Sequence, residues 1–428
     1  MLDIKWIREH SEELKKSLQK RGSAFDLEIL LRADRERREK AKEVDDLRAR
    51  HNKLSDAVAA ASGGERGKLL EESKAEKVRL SGEEETLRSQ SASFDSLLRQ
   101  IPNIPDSDVP VGKDERDNKV LREVGERPSF GFKPRDYMEV AAELELIDTE
   151  RAARVSGSRF GYLKNEAVLL EFALVQFALN RLLKKGFIPI VPPVMIREEM
   201  MQGLGYIDSE KDREERYFLE KDKFYLVGTS EQSVVPMHAD EIFNEKDLPR
   251  RYAAFSTCFR REAGSYGKDT HGILRVHQFD KVEMVSFMKP EDSREEHKFL
   301  LAIQEELIRE LKIPYRVVAL STGDLSHPSA ATYDIEAWLP GQNEGMGQYR
   351  ETHSCSNTTD FQARRLGIKF RRSGKTEFVH ILNGTAFAIG RMLIAILENY
   401  QREDGLVRVP EALQSYMGGM KVIMSRSV

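Results

Sequence analysis

Phe259-Arg260-Arg261-Glu262 closes a strand-like run. The loop Ala263-Gly264-Ser265-Tyr266-Gly267-Lys268-Asp269-Thr270-His271-Gly272 follows, and Arg275-Val276-His277-Gln278-Phe279-Asp280-Lys281-Val282-Glu283 resumes a strand. Two strands joined by a charged, glycine-containing loop set an arginine and a carboxylate on one face. The guanidinium fork suits a phosphate. The carboxylate can accept from an exocyclic amine, and Phe279 can stack on a base. The plainer alternative is a charged hairpin in which Arg260 and Glu262 form a surface ion pair, and this stretch alone leaves both open.

The surrounding sequence alternates between helix and strand signals. Glu166–Lys185 has helical periodicity, and Ser293–Leu311 carries an amphipathic stripe of Leu300, Leu301, Ile303, Leu307 and Leu311. Phe187–Val191, Tyr252–Phe259, Gln278–Phe287, Tyr315–Leu320 and Tyr333–Trp338 read as strands, and Ala386–Tyr400 reads as a helix. Several neighbouring strands are joined by connections too short for a crossover helix. An α+β domain with a mostly antiparallel sheet flanked by helices is therefore expected.

Residues 1–100 differ from the rest. They contain no proline and are dense in Glu, Lys, Arg and Ala, and Pro102, Pro105 and Pro110 then mark a linker. Val44, Leu47, His51, Leu54, Val58 and Ala61 alternate by three and four, while Leu80, Leu87, Phe94 and Ile101 recur every seven. Ala61–Gly67 between these runs supplies a turn. The pattern predicts an antiparallel helical hairpin, a coiled-coil arm, with a three-helix bundle or dimerising coiled coil as the alternatives. The expected domains are 1–105 and 106–428.

Composition narrows the class. The chain has 428 residues, 40% apolar and 33% charged, with a net charge of −4, so no overall positive field advertises a nucleic-acid partner. Local patches decide that question, not the total. Cys258 and Cys355 cannot build a disulfide framework. MLDIKWIREH lacks the apolar stretch of a signal peptide, and Val168–Leu179 is interrupted by Glu171 and Gln176. A cytoplasmic protein without a membrane span is expected. His277, His353 and His380 have no familiar zinc spacing, so no zinc is expected.

The opening segment resembles motif 2 of class II aminoacyl-tRNA synthetases, Phe-Arg-x-Glu, loop, Arg-x-x-x-Phe. Lys185–Met195, with Pro193, resembles motif 1. Gly384-Thr385-Ala386-Phe387-Ala388-Ile389-Gly390-Arg391 resembles motif 3. One such motif is weak evidence, whereas three in order are strong. Finer detail is similar to the seryl-tRNA synthetase family: Gly228-Thr229-Ser230-Glu231, Arg275–Phe279, Glu351-Thr352-His353-Ser354-Cys355-Ser356-Asn357, Phe361–Arg365, Leu382-Asn383-Gly384, Ile101-Pro102-Asn103-Ile104-Pro105 and Met1–Lys5.

That resemblance implies serine activation by ATP, transfer to tRNA(Ser), and to tRNA(Sec) where present, and a homodimer formed through motif 1. Arg260, Glu262 and Arg391 are the implied catalytic residues. Arg260, Arg261, Glu262, Val276, Phe279, Glu351, Thr352, His353, Ser354 and Arg391 would bind ATP. Glu351 and Ser354 would hold Mg²⁺ with it. Thr229, Ser230, Glu231, Glu283, Asn383 and Thr385 would bind serine. A site that pairs the serine hydroxyl should reject alanine, which leaves buried polar groups unpaired.

Bland readings stand beside these roles. Glu351 could be a solvated strand-end charge, Arg391 a structural pair and Thr385 a helix N-cap. Thr385 stands where bacterial relatives often carry serine, and Lys268 and His271 where arginines are usual. Arg135-Asp136-Tyr137 replaces a histidine-aromatic pair. The rival functions are a ligase that loads an amino acid onto a carrier protein and a non-catalytic tRNA-binding paralogue.

Overall fold

The computed structural model describes residues 1–263 and 271–425. Two compact units emerge. One comprises Leu2–Gln19 and Ser23–Pro102, the other Met1–Met1, Lys20–Gly22 and Asn103–Val428.

In the first unit, short helices α1 (Ile4–Glu9) and α2 (Ser11–Lys20) precede two long antiparallel helices, α3 (Leu27–Ala60) and α4 (Gly63–Arg99). The heptad positions Val44, Leu47 and Phe94 are buried, as the periodicity requires. The turn is tighter than the Ala61–Gly67 stretch read from sequence, because α4 already begins at Gly63, which takes φ +59°. Lys40–Glu83 at 2.8 Å and Arg48–Glu84 at 2.8 Å cross-link the two long helices. Half-exposed pairs of this kind set register more than they stabilise.

The second unit is built on an eight-stranded sheet. Its elements in chain order are β1 (Lys119–Val124), α5 (Tyr137–Glu143), α6 (Glu166–Lys184), β2 (Ile188–Ile190), α7 (Glu231–Val234), β3 (Arg250–Phe259), β4 (Gln278–Met288), α8 (Ser293–Glu310), β5 (Tyr315–Ala319), β6 (Ala331–Leu339), β7 (Gln348–Asn357), α9 (Phe361–Leu366), β8 (His380–Ala388) and α10 (Ile389–Asn399). The strand order is β1-β5-β6-β7-β8-β4-β3-β2, antiparallel except for the β2–β3 pair. Helices α6, α8 and α10 bury apolar stripes against the sheet, including Phe177, Leu307 and Leu393.

Two sequence expectations change. The helix expected at Ala386–Tyr400 begins at Ile389, because β8 runs through Ala388, and Ala388 occupies the cap position. Thr385 is therefore a strand residue and not a helix N-cap. Its two preceding neighbours in the chain, Asn383 and Gly384, are also in the sheet.

Two irregularities of register shape the centre of the sheet. Opposite β4, Val282 pairs with Phe387 but Glu283 pairs with Thr385, so Ala386 is an extra residue. Opposite β6, Ile335 pairs with His353 but Glu336 pairs with Glu351, so Thr352 is extra. Each bulge shifts the alternation by one and re-aims a side chain. Beyond the Cys355–Gly384 pair, β7 and β8 part company. Gln304 of α8 spans the gap, its Nε2 donating to the carbonyls of Ser354 and Thr385 at 2.8 Å each.

Candidate active site

A cavity of about 380 Å³ opens over the centre of this sheet. Its floor comes from β4, β7 and β8, and its walls from α10, from α7 and the segment before it, and from residues just past β3.

One end is cationic and aromatic. Arg260, just past β3, donates from Nε to the Gly228 carbonyl at 3.1 Å, and its guanidinium lies 5.4 Å from the Phe279 ring centre. Glu262 takes φ +54°, a sparsely populated conformation for a residue with a side chain, and its carboxylate accepts from Arg275 at 3.0 Å. Arg391, on the first turn of α10, reaches Glu351 twice, at 3.0 Å to the carboxylate and 3.0 Å to the backbone carbonyl. Burial pushes the Glu351 carboxyl up, but Arg391 and Arg260 outweigh it and hold the group below its usual range. The bulge at Thr352 lets Glu351 face the cavity together with Ser354 and Ser356.

The other end is buried and mixed in charge. Glu283 is 2% exposed and accepts from Thr385 Oγ1 at 3.2 Å. Lys281, two residues back on the same strand, forms an ion pair with Glu283 and donates to Thr229 Oγ1 at 2.9 Å. Glu231 opens α7 and accepts from Tyr206 at 3.1 Å and from Gln362 of α9 at 2.7 Å. Burial, reinforced by the charge of Glu283, raises its carboxyl to about 7. Asn383 completes the wall.

Most of the residues expected from sequence thus meet here: Arg260, Glu262, Val276, Phe279, Glu351, Thr352, Ser354, Arg391, Thr229, Glu231, Glu283, Asn383 and Thr385. Three side chains do not line the cavity. Ser230 is turned into the core, where its Oγ meets Ser256 Oγ at 2.8 Å. The Arg261 guanidinium lies against the Tyr217 ring at 5.5 Å. His353 is buried beside Phe387, pairs with Thr352 Oγ1 at 2.8 Å, and burial lowers its imidazole to about 3. Lys268 lies outside the described residues, and His271 is exposed.

Sequence reasoning missed Lys281, Arg216, Tyr206 and Gln232, which also line the cavity. Lys281 had a signal: with Glu283 it places two charges at a spacing of two on one face of a largely apolar strand, where a buried charge is retained only if paired. Arg216 and Tyr206 had none, because they come from loops distant in sequence. The Arg135-Asp136-Tyr137 departure also gains an explanation. Asp136 caps α5, and the Tyr137 hydroxyl accepts from the Ile273 amide at 2.9 Å, anchoring a cavity wall.

Residues 1–105 match the family model of the seryl-tRNA synthetase N-terminal domain, and residues 217–400 match that of the class II tRNA synthetase core domain (G, H, P, S and T). The chain is 46% identical to a serine–tRNA ligase of Thermodesulfovibrio yellowstonii, over 98% of this chain and 99% of that one. It is 43% identical to the serine–tRNA ligase of Nitrosopumilus maritimus, over 99% and 100%. The crystal structure of seryl-tRNA synthetase from Pyrococcus horikoshii complexed with ATP superposes with a TM-score of 0.90 at 43% identity, covering 100% of both chains.

Proposed function

This chain belongs to the seryl-tRNA synthetase family, and on that premise we propose that its cavity condenses L-serine with ATP to seryl-adenylate. The seryl group then passes to the 3′ end of tRNA(Ser), and of tRNA(Sec) where one exists. Residues 1–105 serve as the tRNA-binding arm and 106–428 as the catalytic domain.

The serine carboxylate is already ionised when it attacks the α-phosphorus, so no general base is needed. The work is orientation and charge neutralisation. Arg260 takes the α-phosphate, Phe279 stacks on adenine, and Glu262 accepts from the adenine amino group. Arg391 contacts the far end of the triphosphate. Thr229 and Glu231 hold the serine ammonium, and Glu283 with Thr385 meets its hydroxyl.

The oxygen donors near Arg391 suit a hard cation. Glu351 and Ser354 share the cavity face, and Asp334 pairs in register with Ser354. Burial and the Glu351 charge push the Asp334 carboxyl well above its usual range, and its Oδ1 has no hydrogen-bond partner. Glu351 and Ser354 would hold Mg²⁺, which binds through few protein ligands together with substrate phosphates. The ion supplies charge neutralisation on the triphosphate.

The assembly is a homodimer formed through the motif 1 region, Lys185–Met195. Ile188, Val191 and Met195 within it, and Leu169 and Phe172 on the preceding α6, are exposed apolar residues, which supports that reading. The location is the cytoplasm. Among the described residues no helix is long and apolar enough to cross a membrane.

The observation that carries the proposal is the convergence of Glu283, Thr385, Thr229 and Glu231 on one end of a cavity whose other end holds Arg260, Phe279 and Arg391. ATP–pyrophosphate exchange over an amino-acid panel tests it. Exchange with serine and not alanine, followed by charging of tRNA, is expected. Loading of a carrier protein in place of tRNA would favour the carrier ligase, and absence of exchange with any amino acid would favour the non-catalytic paralogue.

A further inference from the structure

The serine end of the cavity contains an imbalance that no assigned role addresses. Two buried carboxylates, Glu231 and Glu283, face the same small space, and neither is solvated. Like charges in one dry pocket cannot both persist without a counter-charge. Lys281 supplies one. Lys281 is 5% exposed, and its ammonium pairs with Glu283 and donates to Thr229 Oγ1 at 2.9 Å.

We propose that Lys281 is a positioning residue for amino-acid selection: it neutralises and aims the Glu283 carboxylate, so that Glu231 is left as the one anion reserved for the substrate ammonium. This rests on the serine reading of the site. With Lys281 in place, one Glu283 oxygen engages Lys281 and Thr385 and the other is free to accept from a substrate hydroxyl. Without it, the pocket carries two unbalanced anions and takes up a proton, which turns the hydroxyl acceptor into a competing donor.

The neighbourhood of Glu283 is otherwise poor in counter-charge. Thr385 on β8 and the Cys355 thiol on β7 are neutral, as is the Cys258 thiol on β3. Tyr206 lies beyond Glu231, and burial holds its phenol well above the ordinary range. The other cations that line the cavity are engaged elsewhere: Arg260 with the Gly228 carbonyl, Arg275 with Glu262, Arg391 with Glu351, and Arg216 over the Tyr206 ring.

The test compares Lys281→Met and Lys281→Arg with the parent chain in serine-dependent ATP–pyrophosphate exchange across pH 6 to 9. Lys281→Met is expected to raise KM for serine about 100-fold with KM for ATP changed less than threefold. The acid limb of kcat/KM for serine should move to higher pH. Lys281→Arg, which keeps the charge, should recover at least a tenth of the parent kcat/KM. Should Lys281→Met fail to fold, Lys281→Met/Glu283→Gln removes both charges, and it should fold yet lose discrimination between serine and alanine. Equal rises in both KM values, an unmoved acid limb, or no recovery by arginine would overturn the proposal. No exchange with serine by the parent chain would instead overturn the serine reading on which it rests.

Discussion

Thr385 Oγ1 donates to the Glu283 carboxylate at 3.2 Å across adjacent strands, and it does so only because Ala386 is bulged out of the ladder. With unbroken pairing Glu283 would face Ala386, which has no donor. On the proposed reading, the pair that would distinguish serine from alanine is set by a backbone irregularity as much as by residue identity. Thr385→Val keeps shape and removes the donor. It should lower kcat/KM for serine by roughly 10- to 100-fold, the worth of a hydrogen bond to a charged group, while leaving KM for ATP unchanged in the exchange assay.

The proposed function puts Arg260 where negative charge accumulates on the attacked phosphorus. Arg260→Ala should reduce serine-dependent exchange at least about 10³-fold, read from initial rates at saturating ATP and serine. Retained exchange would remove Arg260 from the phosphate role.

Glu231 trades stability for function. Its carboxyl is raised to about 7 from an ordinary value of 4.5, burial being the main cause. The folded chain thus binds more protons than the unfolded chain between these values. Stability from this group is fully present below about pH 4.5 and is lost as pH rises toward 7. Glu231→Gln should therefore gain stability relative to the parent at pH 8, by up to about 3 kcal/mol, with little gain at pH 5, while serine activation is lost. Thermal unfolding at the two pH values, without serine, reads the difference.

Gly272 takes φ +73°, and a Cβ added there would lie 1.8 Å from the Tyr137 hydroxyl. Gly272→Ala should displace Tyr137, release the Ile273 amide and destabilise the chain by about 1–3 kcal/mol. A lowered denaturation midpoint and a raised KM for ATP are the expected readouts, since Ile273 lines the cavity.

If the helical arm carries the tRNA, its removal separates two steps of the reaction. Deleting residues 35–98 should leave ATP–pyrophosphate exchange within about threefold, because the cavity residues all lie after Tyr206 in the chain, and should reduce tRNA charging by orders of magnitude. Undiminished charging would mean that the arm does not carry the tRNA.

Local pattern explains which of these residues could be read from sequence. Phe279, Lys281 and Glu283 share a face of one strand, and the strand is legible from its alternation. Glu351 and Ser354 were legible only as members of a motif: the bulge at Thr352 is what places them together, and no periodicity announces an inserted residue. β7 and β8 themselves escaped the pattern, since Glu351, Thr352, Ser354, Ser356, Asn383 and Thr385 face a cavity and interrupt the apolar alternation of their strands. The start of α10 was misplaced by three residues because Ala386-Phe387-Ala388 suits a buried strand and a buried helix equally. Tyr206 and Arg216 reach the site through tertiary folding alone.

The Arg391–Glu351 pair and the Arg260 bond to the Gly228 carbonyl engage both arginines with partners in the protein itself. A triphosphate must win these groups from existing partners, so capture is an exchange of contacts and yields less net affinity than the number of contacts suggests. The same partners stand ready to reclaim both arginines when pyrophosphate and AMP leave. On the proposed reading, engagement of this kind favours release, and so would limit the product inhibition that a cleft of unpartnered cations invites.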